Sequence, residues 1–107
     1  MNATTTNDES TTAGGQKLAG RVALVTGGTR GIGAAICQSL ASQGASVAAG
    51  YSVNTPKAEQ FLADFEKHFA GPGRGTIHQG NVSSAEDCRR VVQEVLDEHG
   101  RLDILVN

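Results

Sequence analysis

The 107-residue sequence predicts an α/β fold, a doubly wound parallel sheet that is incomplete, with about four strands and three helices. Three observations predict it. Short apolar runs alternate with longer segments whose apolar residues recur at helical spacing. The first run, Val22-Ala23-Leu24-Val25, breaks into the glycine-rich Thr26-Gly27-Gly28-Thr29-Arg30-Gly31-Ile32-Gly33 and resumes as a helix. With the next strand included, the run opens a β-α-β unit of about 30 residues, the length expected of one such unit.

Taken in order, residues 1–17 are rich in Thr, Asn, Ser, Gly and Ala, with almost nothing apolar to bury. Ordering them costs entropy without return, so a disordered tail is expected. It lacks a signal-peptide core and carries Asp8 and Glu9 but no Arg, unlike a transit peptide. One domain is expected over residues 18–107.

Val22–Val25 reads as a strand buried on both faces. Ile32, Ala35, Ile36, Ser39 and Leu40 share a face of a helix running from about Ile32 to about Gln43, where Gly44 can supply a left-handed cap. A second strand follows at about Ser46–Ala49. Thr55 can cap the second helix with Pro56 at its first position, and Ala58, Phe61, Leu62, Phe65 and Phe69 form its core stripe. His68, near the end of that helix, reads as a surface residue.

Gly71-Pro72-Gly73-Arg74-Gly75 is a loop, and Thr76–Asn81 the third strand. Ser83-Ser84-Ala85-Glu86 offers a capping box for a third helix, with Cys88, Val91, Val92, Val95 and Leu96 inward. Arg89, Arg90, Glu94, Asp97 and Glu98 are its wet side, and His99-Gly100 ends it. The fourth strand is Leu102–Asn107.

Composition excludes several function classes. The net charge is −2 with no basic stripe, so no nucleic-acid partner is expected. No apolar run approaches the roughly 18 residues of a membrane span. Cys37 and Cys88 have no metal-ligand or redox spacing and read as small apolar residues, so no metal is expected. Reduced thiols and no export signal fit the cytoplasm. His78 and His99 belong to no legible triad, and no residue is assigned a catalytic role.

The glycine segment carries chemistry. A dinucleotide diphosphate needs backbone N–H donors and a positive helix end within contact distance. Gly27 can make the sharp turn off the strand, Gly31 can admit the phosphates without a Cβ in the way, and Gly33 can let the helix pack closely on the sheet. The spacing Gly-x-x-x-Gly-x-Gly departs from Gly-x-Gly-x-x-Gly, and on spacing alone an ordinary glycine turn stays open. Past the second strand, Gly50-Tyr51-Ser52-Val53-Asn54 has no carboxylate where NAD sites generally place one. A ribose 2′-phosphate would meet no repulsion there. Arg30 and Lys57 are the cations to place near it, with Ser52 as a donor. Lys57 reads equally well as a solvated surface lysine. Arg30 in a purely structural role would leave a buried charge in need of a partner.

These residues resemble the short-chain dehydrogenase/reductases, whose motif Thr-Gly-x-x-x-Gly-x-Gly matches Thr26–Gly33. Leu102-Asp103-Ile104-Leu105-Val106-Asn107 resembles their fourth strand, entering an Asn-Asn-Ala-Gly motif of which only Asn107 is present. The resemblance implies a Rossmann-like sheet of order 3-2-1-4, with the fourth strand at an open edge and one face poorly covered. It also implies an NADP (NADPH) site at Gly27, Thr29, Arg30, Gly31, Ile32, Gly33, Tyr51, Ser52, Lys57, Gly80, Asn81, Val82 and Asn107. In the family an Asp commonly stands at Asn81, accepting from the adenine amino group while the next residue packs on the ring. Asn81 keeps an acceptor without the charge and Val82 keeps the apolar contact; Gly80-Asn81 also reads as a simple turn.

The family's catalytic Ser and Tyr-x-x-x-Lys are not in this sequence, and Tyr51 is followed four positions on by Thr55 rather than Lys. The chain thus reads as the amino-terminal part of a longer reductase or a truncated product, inactive and weakly stable alone. Ala49–Lys57, Gln79–Val82 and Ile36-Cys37-Gln38 resemble the acetoacetyl-CoA reductases of polyhydroxyalkanoate synthesis. That implies NADPH-dependent reduction of a 3-oxoacyl thioester by a homotetramer. The alternatives are a 3-oxoacyl-(acyl-carrier-protein) reductase and a non-catalytic nucleotide- or partner-binding module.

Overall fold

A computed structural model describes residues 17–69 and 73–107; the tail expected up to Lys17 lies outside them except for Lys17 itself, as do Gly71 and Pro72 of the expected loop. The strands are β1 (Val22–Val25), β2 (Ser46–Tyr51), β3 (Gly75–Gln79) and β4 (Ile104–Val106), and the helices α1 (Gly31–Ser42), α2 (Thr55–His68) and α3 (Ala85–His99). All pairings are parallel and the order is β3-β2-β1-β4. This is the predicted Rossmann-like arrangement, and β4 lies at its edge.

All four residues of β1 are buried, which is why that run has no polar alternation. On one face Val25, Val47 and Ala49 pack with Cys37 of α1 and with Phe61 and Phe65 of α2. Phe61, Phe65 and Phe69 stack along α2 with ring centroids 5.8 and 5.0 Å apart. On the other face, among the described residues, Val22, Leu24 and Ala48 pack with Val95 and Val91 of α3, with Leu102 beside them. Leu105, paired with Leu24, is 63% exposed on that thinly covered face. Burial pushes the Cys37 thiol up to about 12, so it behaves as a neutral core group.

The boundaries differ from the sequence expectation in instructive places. Asn54, not Thr55, caps α2: it sits at φ 71° and its Oδ1 accepts from the Lys57 N–H at 3.2 Å. A β-branched threonine tolerates that left-handed backbone poorly, whereas asparagine enters it readily. Pro56 then occupies the second helical position. The α3 cap is Ser84, accepting from the Asp87 N–H at 3.1 Å. The expected capping box of Ser83 with Glu86 does not form, because the cap falls one residue later at Ser84; Asp87, three residues on from it, accepts from the Asn81 N–H through Oδ2. β3 runs from Gly75 to Gln79, with the turn at Val82 and Ser83, and β4 is confined to three residues.

Two polar links fix the sheet margins. Asp103 accepts from the Val22 N–H at 2.8 Å and from Arg101; the Arg101 hydrogen bond, then that of Val22, hold its carboxyl below the usual range. At the opposite edge His78, 6% exposed, contacts Glu94 Oε1 through Nδ1 at 2.9 Å and Thr76 Oγ1 through Nε2 at 2.8 Å. Thr76 Oγ1 also lies 2.8 Å from His99 Nε2. Burial disfavours ionised Glu94, but hydrogen bonds from His78 and Arg90 outweigh it and hold the carboxyl low. His99 is held below the usual imidazole range by burial, then by Arg74 and His78.

Candidate functional site

The site grows from the bend between β1 and α1. Gly27 and Gly31 have φ of +63° and +60°, a region open to glycine at no steric cost. A Cβ on either would meet no protein atom within 4 Å, so backbone conformation rather than packing demands glycine at both. Gly33 is different: a Cβ there would strike the carbonyl of Gly27. The expectation that Gly33 brings the helix down on the sheet is corrected by this geometry, since it brings the helix down on the bend.

Close approach to the sheet belongs to Gly28, a residue the sequence reading did not single out. It is buried, its N–H donates to the Gly50 carbonyl at 3.0 Å, and a Cβ would lie 3.0 Å from both Ala49 Cβ and Cys37 Sγ. The signal available was the Gly-Gly doublet together with small partners at both positions.

The helix that follows begins without a side-chain cap. Arg30 is its N-cap in extended conformation, and its first turn has no acidic residue. Amides at such an end have no intrahelical partner and carry the positive end of the dipole, so they can receive an anionic oxygen. Arg30 is exposed, so the argument that a structural arginine would be a buried charge does not hold at this position.

Next to the bend lies a cleft of about 600 Å³. Of the predicted site residues, Gly27, Tyr51, Ser52, Gly80, Asn81, Val82 and Asn107 line it. The crossover order places these carboxyl-terminal strand ends together, where open α/β sheets receive ligands. Thr29 and Lys57 instead line a separate cavity of about 250 Å³ between α1 and α2. Ile32 is 81% exposed at the helix start.

Hydrogen bonds set the rim. Thr26 Oγ1 donates to Asn107 Oδ1 at 2.9 Å, tying β1 to the end of β4. Tyr51 Oη donates to Thr55 Oγ1 at 3.3 Å, leaving this tyrosine paired to a hydroxyl rather than an ammonium. Asn81 Oδ1 accepts from the Ser83 N–H at 2.9 Å, which orients the amide and leaves that oxygen a second lone pair. Among the described residues no cluster of His, Cys, Asp or Glu could hold a metal ion, and no helix is long and apolar enough to cross a membrane.

Comparison with known proteins places this geometry. The chain is 42% identical over 91 residues to an uncharacterised oxidoreductase of Methylorubrum extorquens, covering 85% of this chain and 36% of that one. It is 36% identical over 90 residues to a 3-oxoacyl-(acyl-carrier-protein) reductase of Synechocystis, covering 84% and 35%. A short chain dehydrogenase from Burkholderia cenocepacia, solved in complex with NADP, superposes with a TM-score of 0.76 at 41% identity over 85% of this chain and 36% of that one. The chain therefore spans about a third of the length of these three proteins. Residues 21–107 match the family model described as short chain dehydrogenase. With that match, the glycine bend and the parallel β3-β2-β1-β4 sheet, the chain belongs to the short-chain dehydrogenase family of oxidoreductases.

Proposed function

We propose that this chain forms the adenosine-diphosphate side of an NADPH site, and that the enzyme containing it reduces acetoacetyl-CoA to the 3-hydroxyacyl thioester for polyhydroxyalkanoate synthesis. The observation that carries the cofactor reading is the uncapped, acid-free start of α1 beside two left-handed glycines. Bound NADPH would supply the hydride. Main-chain groups of Gly27, Thr29, Gly31, Ile32 and Gly33 would hold the diphosphate. Gly80, Asn81, Val82 and Tyr51 would border the base, and Asn107 would close the cleft from β4. Arg30, Ser52 and Lys57 would meet a 2′-phosphate, a reading supported by the lack of any carboxylate in Gly50–Asn54.

The substrate reading rests on the resemblance of Ala49–Lys57 and Gln79–Val82 to acetoacetyl-CoA reductases. The Synechocystis relative favours a second reading, in which the thioester is carried by acyl-carrier protein. In either case the proton donor lies outside these residues, since Tyr51 has no lysine four positions on; the 107 residues alone are expected to be inactive. A cytoplasmic homotetramer is part of the same proposal.

Titration of the chain with NADPH and NADH tests the cofactor reading. NADPH should bind at least about tenfold more tightly, and Arg30→Ala should remove about tenfold of that preference. Equal affinity for the two nucleotides would end the NADPH assignment, and tight capture of a protein with no nucleotide binding would favour a partner-binding module. In a chain extended to the length of the relatives, NADPH oxidation with acetoacetyl-CoA against an acyl-carrier thioester separates the two substrates.

A further inference from the structure

The peptide that joins Gly28 to Thr29 lies inside the glycine bend, and its orientation decides what the bend shows to an anion. Gly28 has no side chain, so this peptide can turn over by counter-rotation about its flanking bonds without moving its neighbours. A trans peptide points its C=O and N–H to opposite sides, so the Thr29 N–H is turned out of the core only while the Gly28 carbonyl is turned into it.

The group that takes the carbonyl inward is Cys37. This residue is fully buried on α1, and its Sγ–H donates to the Gly28 carbonyl at 3.5 Å. A Cβ on Gly28 would lie 3.0 Å from that sulfur, so the bare glycine is what lets the thiol reach the carbonyl. The Gly28 N–H donates to the Gly50 carbonyl at 3.0 Å, which fixes this residue against β2 but leaves the peptide after it free to turn. Among the described residues no backbone N–H donates to the Gly28 carbonyl, and no carbonyl accepts from the Thr29 N–H. The thiol is a weak donor, yet burial pushes it up to about 12, so it keeps its hydrogen at neutral pH. Turned over, the peptide would set the Thr29 N–H against sulfur, a weak acceptor, and aim a carbonyl oxygen outward, where it would repel a phosphate.

Resting on the proposed cofactor reading, we infer that Cys37 is a positioning residue for the phosphate site: its thiol hydrogen holds the peptide between Gly28 and Thr29 in the one orientation that presents the Thr29 N–H to a phosphate oxygen of the nucleotide. Cys37 touches no ligand and acts only through Gly28.

The test compares the natural 107-residue chain with Cys37→Ala and Cys37→Ser by calorimetric titration with NADPH and with NADH, each affinity corrected for the folded fraction read from urea denaturation. Both variants open a similar gap in the core, and only serine brings a donor to it. Cys37→Ala should lower NADPH affinity about tenfold, the value of one hydrogen bond to a charged group, and Cys37→Ser should recover part of that loss. An equal loss with NADH assigns the bond to the diphosphate, and a loss confined to NADPH assigns it to the 2′-phosphate; the inference stands on either. In the natural chain, where no variant has to fold, NADPH should slow hydrogen exchange at the Thr29 amide at least about tenfold. An alanine variant with the natural affinity, a serine variant no better than alanine, or a Thr29 amide whose exchange NADPH leaves unchanged overturns the inference while leaving the cofactor reading intact. Failure of the natural chain to bind either nucleotide removes the cofactor reading, and the inference with it.

Discussion

The amino ends of α1 and α3 both follow carboxyl ends of parallel strands, yet they are finished differently. At α3, Ser84 accepts from the Asp87 N–H, and Glu86 and Asp87 put negative charge in the first turn. At α1 there is an extended arginine, no side-chain cap and no acid. One end is closed by its own sequence, and the other has no side-chain partner for its first amides. A helix start stripped of the residues that ordinarily stabilise it gives up about 1 kcal/mol, which a ligand anion can return.

The most disruptive change to this contrast is Gly33→Ala. Its Cβ would strike the Gly27 carbonyl, and backbone on both sides leaves no flexible group to yield. A loss of about 1–3 kcal/mol in urea denaturation is expected, with nucleotide binding abolished. Next is Arg30→Ser, which gives α1 the kind of cap α3 already has. The serine oxygen would take the N–H of Gly33, stabilising the chain by about 0.5–1 kcal/mol while lowering NADPH affinity about tenfold. A variant that gains stability and keeps its affinity would show that the α1 amides are not where the anion sits. The smallest effect on binding is that of Ser84→Ala, expected to cost about 1 kcal/mol on denaturation and to move NADPH affinity less than about twofold.

How much of this could be read from the residues depends on how local the cause is. Val22–Val25 was legible because full burial leaves an unbroken apolar run, and the bend because glycine positions at Gly27 and Gly31 follow from backbone angles alone. The α2 cap was missed by one residue although the signal was there, since of Asn54, Thr55 and Pro56 only asparagine enters the left-handed region readily. Gly28 escaped notice because two of the three atoms that crowd a side chain there, Ala49 Cβ and Cys37 Sγ, come from other elements, and the third, the Val25 carbonyl at 2.8 Å, closes in only through the bend itself. The engaged oxygen of Asn81 depends on a turn only two residues long, but one that propensity does not orient. His78, Glu94, Thr76 and His99 meet only once β3 and α3 are packed, so no spacing rule could assemble them.

That last group has a directional character. With both imidazoles neutral, His78 Nδ1–H donates to Glu94, so His78 Nε2 accepts from the Thr76 hydroxyl, whose oxygen in turn accepts from His99 Nε2–H. Thr76 has a single hydrogen and serves two rings, so no link can turn round unless its neighbours turn with it. The outer strand is therefore held to its helix by hydrogen bonds that polarise and strengthen one another, whereas side chains that meet only through apolar contact add independently.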